Sequence, residues 1–270
     1  MPRNLSPRPS ATLFALVVLL GGGLAGQVRP APLPRWDLGS GPAPVFARPA
    51  LVPTRAGAPA AVRWYHGLGA MGAVALVSLS DESLQEELQA HRSEGKDDVA
   101  RVFKRMGEPT VYAVPALGTI AAGVILGDDR VTRAGGRMTA GLLTAAVVTN
   151  LLKPLVGRRR PAETGDAFEF TPFSNRDSWP SGHTAMAFAL ATGVGDELHS
   201  TPATVLLYGA AGLTSWSRLN DNRHWGSDVL AGALVGITSV KLMNGRWRVF
   251  GISAPRFLLE PGAVGVSAAF

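Results

Sequence analysis

Long apolar stretches separated by shorter polar ones fill most of the chain. Where polar residues intervene, apolar side chains recur at helical spacing, as at Val99, Val102, Phe103 and Met106. This spacing predicts helices, because side chains three or four residues apart share one helix face. Glycine and proline supply the breaks between the helices. We therefore expect a largely helical domain over residues 64–245.

The predicted helices differ in polarity. Apolar helices are expected at residues 64–80, 111–127, 138–152, 183–198, 203–216 and 228–243. One polar helix is expected after Ser80 or Asp81 and another from Asp97 or Asp98, with Gly95 as the break between them. Several apolar stretches contain no charge for 15 to 17 residues. Because a comfortable membrane span needs about 20 apolar residues, these helices are either short spans or buried members of a bundle.

The first 26 residues are typical of an export signal. Arg3 and Arg8 form a basic start, residues 11–20 are apolar, and residues 21–26 are small or apolar. A cut after Ala25 would satisfy the small-residue requirement of the cleavage site. An uncleaved N-terminal anchor is the alternative, and either form takes the chain into or across a membrane.

The segments on either side of the helical region have their own composition. Residues 27–63 are rich in proline, alanine and arginine without a regular period, which favours an extended linker or a strap along the surface. Valine and aromatic residues near Pro255 and Pro261 predict a short β-hairpin or a packed tail at the end of the chain. The expected boundaries are 1–26 for the signal peptide or anchor, 27–63 for the linker, 64–245 for the helical domain and 246–270 for the tail.

Composition and charge narrow the range of partners. Charged residues make up 17% of the chain, the net charge is +6, and the pI is about 10.3. A basic excess favours anionic partners, which include phosphate esters, anionic lipid headgroups and nucleic acid. The chain has no cysteine. Disulfides, thiolate metal sites and a cysteine nucleophile are therefore excluded.

Three short blocks carry candidate chemistry, and each lies at or near the end of an apolar helix. The first runs from Lys153 to Arg160 and Pro161, the second is Pro180-Ser181-Gly182-His183, and the third is Ser217-Arg218 followed by His224 and Asp228. Helix ends and their loops are the places where a rigid bundle can present polar groups to a ligand.

The third block contains a histidine and an aspartate four residues apart. On a helix, His224 and Asp228 would share a face. A carboxylate bonded to one ring nitrogen fixes the tautomer and leaves the other nitrogen free, as a nucleophile or base requires. A surface contact is the simpler explanation for such a pair taken alone. Arg218 can reach an anion held against the imidazole if the chain turns between them, and the polar residues 220–222 favour a turn.

The second block has the features of a helix start that can hold an anion. Ser181 is a natural N-cap, and Gly182 lets a ligand approach the backbone. Free amides and the helix dipole favour an anion at such a position. His183 would lie beside that anion and could exchange a proton with it. An ordinary capped helix with an incidental histidine is the alternative.

The first block supplies fixed positive charge. Lys153 offers a point charge, and Arg160 offers a planar fork that matches two phosphate oxygens. Arg158 and Arg159 beside them could instead form the positive flank of a membrane span. That alternative accounts for the cluster but not for the two histidine-bearing blocks that follow it.

Together the blocks resemble the signature of the type 2 phosphatidic acid phosphatase and vanadium haloperoxidase superfamily. The signature reads Lys-x6-Arg-Pro, Pro-Ser-Gly-His and Ser-Arg-x5-His-x3-Asp, in this order, and every position is filled. The resemblance covers about residues 64–243 in helical layout. It implies an all-α fold, a helical bundle of about six main helices. It also implies a phosphatase that uses no metal and no other cofactor.

The resemblance implies a role for each matching residue. His224 would attack phosphorus and become phosphorylated, Asp228 would orient it, and His183 would protonate the leaving oxygen and then activate water. The phosphate oxygens would be held by Lys153, Arg160, Ser181, the Gly182 amide and Arg218. Phosphoryl transfer chiefly needs positioning and stabilisation of charge on the equatorial oxygens, and three cations can supply that stabilisation.

The implied substrate is a phosphate monoester or a diphosphate. Lipid phosphates are preferred because the helices are apolar and the chain is exported, and nucleic acid is not an expected partner. The alternatives are a broad-specificity periplasmic acid phosphatase, a vanadate-dependent haloperoxidase and a non-enzymatic envelope protein that binds anionic lipid. We expect the protein in the cell envelope, either in the periplasm or in the inner membrane with its site facing the periplasm.

Overall fold

The computed structural model describes residues 59–254, 256–260 and 263–267. The predicted signal or anchor, and the predicted linker up to residue 58, lie outside the described residues. Within these residues the chain forms eight α-helices and four short strands. The all-α prediction is confirmed, and the number of helices is somewhat higher than expected.

The helices are α1 (Trp64–Ser78), α2 (Asp81–Ala90), α3 (Glu94–Lys104), α4 (Pro109–Leu126), α5 (Asp129–Val156), α6 (Gly182–Leu198), α7 (Thr201–Asn220) and α8 (Gly226–Met243). Short 3-10 turns occupy Arg105–Gly107 and Pro161–Glu163. The strands are β1 (Ala60–Val62), β2 (Trp247–Val249), β3 (Arg256–Glu260) and β4 (Ala263–Ser267).

Most helices begin slightly earlier than the sequence pattern predicted, and α3 and α5 begin at least three residues earlier. The side chain of Ser93 accepts the backbone N–H of Lys96, so α3 starts before Asp97 and Gly95 lies inside it. The carboxylate of Asp128 likewise accepts two backbone N–H groups at the start of α5, which runs for 28 residues. In both helices a side-chain cap decides the first turn, whereas the apolar pattern begins only further along.

The strands lie in the two segments that flank the helices. β1 falls within the segment expected to be a linker or a surface strap and pairs in parallel with β2 after the last helix. Ala60–Val62 are therefore extended, as expected, but they are held by hydrogen bonds to a part of the chain that is distant in sequence. β3 and β4 form an antiparallel hairpin, as expected for the tail.

Small residues allow α6 to pack closely against α5 and α8. A Cβ atom at Gly236 of α8 would clash with the backbone oxygen of Ala185, and one at Gly232 would lie 2.5 Å from that of Ser181. Glycine therefore permits close helix contact here, as it does in tightly packed bundles. This contact sets the start of α6 directly beside the first turns of α8.

Three helices, α4, α5 and α8, are long and apolar enough to cross a membrane, judged by length and composition. Of the apolar window of α4, only 11% is buried within the structure. Ile125 near its end is 83% exposed, and Val114 is 68% exposed. The apolar surface of α4 therefore faces outward rather than into the protein core.

Candidate active site

The structure brings the three sequence blocks together at the ends of four helices. Lys153 lies in the last turn of α5, and Ser181 precedes α6. The backbone N–H of Ser181 donates to the backbone oxygen of Asp228 in the first turn of α8, at 3.0 Å. A Cβ atom at Gly182 would lie 4.0 Å from Cε of Lys153. The helix starts and ends that the sequence marked as ligand-presenting therefore form one cluster.

Lys153 and Arg160 converge on Asp177, a residue that the sequence analysis did not single out. Nζ of Lys153 donates to the backbone oxygen of Asp177 at 2.6 Å. Arg160 donates from Nε and Nη2 to the two carboxylate oxygens of Asp177 at 2.8 and 2.7 Å. Burial raises the pKa of Asp177, but Arg160 and Lys153 outweigh it and the pKa is lowered. A half-exposed carboxylate thus occupies the cationic fork that was assigned to phosphate.

His224 is buried and lies in the loop between α7 and α8, not on a helix as its spacing from Asp228 suggested. Its Nδ1 lies 2.8 Å from the backbone oxygen of Ser178 and 3.6 Å from Oδ2 of Asp228. Because a carbonyl oxygen only accepts, Nδ1 carries the proton and Nε2 keeps its lone pair. The Ser178 carbonyl therefore fixes the tautomer, and Asp228 contributes negative charge beside it.

Burial and charge act on His224 in opposite directions. Burial lowers its pKa, and the Asp228 carboxylate raises it only in part, while Arg160 and Lys153 lower it further. The imidazole is accordingly neutral near pH 7, which is the form that has a free lone pair on Nε2.

Asp228 is fully buried, and hydrogen bonds engage both of its carboxylate oxygens. Oδ1 accepts from Nη1 of Arg158 at 2.6 Å. Oδ2 accepts from Oγ of Ser178 at 2.6 Å and from the backbone N–H of Trp225 at 2.9 Å. The carboxylate therefore joins the His224 loop to the segment that precedes the second block.

Arg158 is not the flank of a membrane span, because it is 1% exposed. Nη2 donates to Oδ2 of Asp81 at 2.8 Å and to the backbone oxygen of Ala167 at 2.7 Å. Nη1 donates to Oγ of Ser227 as well as to Asp228, in both cases at 2.6 Å. The guanidinium group is thus fully engaged inside the protein.

His183 is the second residue of α6. Burial lowers its pKa to about 4, and the positive charges of Arg218, Lys153 and Arg160 add to the effect. All three cations therefore lie within electrostatic reach of this imidazole. The side chain is neutral near pH 7 in the ligand-free protein.

Arg218 is buried near the end of α7. Its Nη1 lies 3.2 Å from Oδ2 of Asp221, whereas its Nε has no hydrogen-bond partner among the described residues. A buried N–H group without an acceptor costs free energy. A phosphate oxygen is an acceptor that suits a guanidinium group.

Helices α2 and α3 support the loop between Arg218 and His224 from outside. Nε2 of Gln85 donates to the backbone oxygen of Leu219 at 3.1 Å and to Oδ1 of Asn222 at 2.7 Å. Nδ2 of Asn220 donates to Oδ1 of Asp97 at 2.7 Å. The loop that carries the third block is therefore held by side chains from an earlier part of the chain.

Residues 134–248 match the family model described as the PAP2 superfamily. The segment that contains the three blocks is therefore similar to the PAP2 superfamily. The resemblance inferred from the three blocks is thereby confirmed. All eight candidate site residues lie within the matched segment, whereas α1 to α4 precede it.

Known proteins resemble this chain to different degrees. A "Lipid A 1-phosphatase" of Porphyromonas gingivalis is 41% identical over 99 residues, which cover 36% of this chain and 20% of that protein. The chain therefore matches about a fifth of the length of this relative.

Two solved structures are also similar. A transmembrane PAP2 type phosphatidylglycerolphosphate phosphatase from Bacillus subtilis is 21% identical, with a TM-score of 0.52, over 67% of this chain and 95% of the other. LpxE of Aquifex aeolicus is 22% identical, with a TM-score of 0.49, over 60% and 93% of the two chains. The first of these likenesses shows a shared fold.

Sequence reasoning missed several residues of the candidate site. Asp177 and Ser178 lie directly before the Pro-Ser-Gly-His block, and that adjacency is the one signal that could have pointed to them. Asp81 and Gln85 lie far from every block and carry no such signal. Among the described residues, no group of three or more histidine or acidic side chains is arranged to hold a metal ion.

Proposed function

We propose that this chain is a phosphatase that hydrolyses a phosphate monoester or a diphosphate, preferably lipid-linked, through a phosphohistidine on His224. The observation that carries the proposal is a buried imidazole whose Nδ1 is held by the Ser178 carbonyl at 2.8 Å. The free Nε2 is the nucleophile that the reaction requires. Lys153, Arg160 and Arg218 supply the positive charge around it.

In the first step, Nε2 of His224 attacks phosphorus and the bond from phosphorus to the leaving oxygen breaks. His183 gives a proton to that oxygen, so the alcohol or phosphate leaves in a stable form. The phosphorylated imidazole carries positive charge, which the Asp228 carboxylate stabilises from 3.6 Å. The three cations and the free amides at the start of α6 hold the equatorial oxygens.

In the second step, water attacks the phosphorus atom of the phosphohistidine. His183 takes the proton from the water, and the bond between phosphorus and Nε2 breaks. Inorganic phosphate leaves, and His224 returns to its neutral form with the proton on Nδ1. No metal ion takes part, because the cationic side chains perform the charge stabilisation.

The apolar helices and the similar proteins support a location at a membrane. α4, α5 and α8 are long and apolar enough to span a bilayer. Lipid A and phosphatidylglycerolphosphate, named in two similar proteins, are lipid-linked phosphates. We infer that this protein acts at a membrane on a lipid-linked phosphate, with the site on the periplasmic side of the cell envelope.

The test is phosphate release from a panel of lipid and soluble phosphate esters by wild type and His224→Ala. Wild type is expected to prefer lipid substrates and to form an acid-labile phosphoenzyme, and the variant should lose both. Removal of a nucleophile that acts within a catalytic unit typically costs about 10⁶-fold in rate. Turnover should persist in EDTA.

His91→Ala is the matched control, because this histidine directly follows α2 at the protein surface, with its side chain 66% exposed in a contact with Glu87. Full phosphate release by His224→Ala would overturn the proposal. Binding of anionic lipid by wild type without any phosphate release would favour a protein that only binds anionic lipid. Halide oxidation in the presence of vanadate and peroxide, without phosphate release, would favour the haloperoxidase alternative. A preference for soluble esters would favour a broad-specificity acid phosphatase.

A further inference from the structure

A buried cluster of charges lies behind the candidate nucleophile. Asp81, in the first turn of α2, is 0% exposed and accepts from Nη2 of Arg158 at 2.8 Å. Its other oxygen accepts the backbone N–H of Ser227 at 2.9 Å. Nη1 of the same guanidinium donates to Asp228 at 2.6 Å. Arg158 is therefore shared between two fully buried carboxylates.

The charges in this cluster do not cancel. Asp81 and Asp228 bring two negative charges, and Arg158 brings one positive charge. The remaining negative charge lies beside His224, since Oδ2 of Asp228 is 3.6 Å from Nδ1. If Asp81 were neutral, Arg158 would compensate Asp228 alone and little net charge would act on the imidazole.

A contribution to the stability of the fold is a poor explanation for this buried charge cluster. Replacing a buried ion pair or triad by well-packed apolar residues is often neutral or stabilising, so burial of charge is weak evidence for a stabilising role. Asp81 also precedes the segment 134–248 that matches the PAP2 superfamily. The residue reaches the site from α2, across 77 positions of sequence to Arg158.

We propose that Asp81 is a positioning residue of the phosphatase site: by sharing Arg158 it holds Asp228 in place and leaves it with net negative charge beside His224. The inference rests on the proposed function of His224 as the nucleophile. Asp81 touches neither the substrate nor the reacting atoms, and it acts through Arg158, Ser227 and Asp228.

The charge of Asp81 should affect the rate of the chemical step rather than the affinity for substrate. Positive charge develops on His224 only as phosphorus is attacked, so the negative charge of the cluster stabilises the transition state more than the bound substrate. The groups assigned to the phosphate oxygens, Lys153, Arg160 and Arg218, are separate from Asp81. Loss of the Asp81 charge should therefore lower kcat and leave KM nearly unchanged.

The experiment compares wild type with Asp81→Asn and with the double variant Asp81→Asn/Arg158→Gln. Asp81 acts on the imidazole across one guanidinium group and one carboxylate, and a unit charge about 6–12 Å away, at an effective dielectric constant of about 20, changes a rate by roughly ten- to a hundredfold. Asp81→Asn is therefore expected to lower kcat by that factor, with KM within about threefold. The double variant restores the net charge of the cluster, so its kcat should rise about tenfold above that of Asp81→Asn.

A purely structural role predicts the opposite order, because the second substitution removes further hydrogen bonds. Wild-type kcat in Asp81→Asn, or a double variant no faster than the single one, would overturn the inference. Asp98→Asn is the matched control, since this carboxylate is exposed on α3 and pairs with Arg101. All variants are first compared by thermal unfolding.

The design also separates this inference from the proposed function. If wild type and His224→Ala release phosphate equally, the proposed function fails and the Asp81 result is not needed to decide it. If wild type is active and Asp81→Asn is equally active, only the inference on Asp81 fails. Should Asp81→Asn alone not fold, the double variant decides: kcat within about tenfold of wild type supports the inference, and any larger loss overturns it.

Discussion

At the scale of single residues, the charges around His183 decide whether this imidazole is protonated and can act as an acid. The proposed mechanism needs this imidazole as an acid in the first step, yet burial and three nearby cations lower its pKa to about 4 in the ligand-free protein. A bound phosphate group reverses that balance, because its negative charge favours the protonated ring. His183 therefore receives its proton together with the substrate rather than before it.

This coupling predicts that anion binding depends on pH. If the anion raises the pKa of His183 from about 4, the complex holds more protons than the free protein. Binding then takes up a proton and tightens as pH falls through the pKa of the complex, by up to about tenfold per pH unit. The measurement is inhibition by sulfate between about pH 5 and pH 8, a range in which sulfate stays a dianion and His183 is the group expected to titrate.

The matched variant is His183→Asn, which has a side chain of similar polarity but does not titrate. Its affinity for sulfate should vary much less over the same pH range. A sulfate inhibition constant for wild type that is independent of pH would contradict the coupling.

At the scale of elements, the start of α6 is held by the short 3-10 turn at Arg105–Gly107. A Cβ atom at Gly107 would lie 2.7 Å from Cβ and Cδ2 of His183 and 2.9 Å from its Cα atom. Contacts this short leave no room for a side chain, and one of them is with backbone. The turn therefore determines where the His183 imidazole lies relative to the cations.

Gly107→Ala is accordingly expected to displace His183. A shift of about 1 Å in a catalytic group can cost a hundredfold in rate, and overpacking costs about 1–3 kcal/mol in stability. Phosphate release and thermal unfolding measure the two effects. Gly95→Ala in α3 is the control, since among the described residues no atom outside its own stretch of helix lies within 4 Å of the added Cβ. Equal activity of the two variants would show that the turn does not position His183.

The motifs could be predicted from the sequence because each lies within one short segment. Their partners could not, because they lie on elements that are distant in the chain. Spacing within a block, such as that from Lys153 to Arg160, is local and survives in the sequence. Asp81 and Arg158 are 77 positions apart, and no periodic pattern relates them. The tautomer of His224 also depends on a backbone carbonyl, that of Ser178, which any residue type would supply. The roles of the eight site residues stay predictions.

At the scale of the whole molecule, the helices inferred from the apolar pattern are present, and the main errors lie at their ends. α5 extends well before the predicted start because Asp128 caps it and its first turns carry charged residues. Apolar runs mark the parts of a helix that contact core or lipid, whereas caps decide its length. Helix length also matters for the membrane. With their ends included, α4, α5 and α8 are long and apolar enough to span a bilayer, judged by length and composition.

The outward-facing side of α4 tests whether the bundle crosses a bilayer. Leu117 lies near the middle of this helix and is 56% exposed. In water, Leu117→Asp would change stability by less than about 0.5 kcal/mol, but at the centre of a bilayer an aspartate costs about 2.5–3.5 kcal/mol. We therefore expect this variant to be depleted from carbonate-washed membranes. Val102→Asp is the control, because Val102 is 63% exposed on the polar helix α3. Equal recovery of both variants in the membrane fraction would contradict a span by α4, since only a lipid environment distinguishes the two exposed positions.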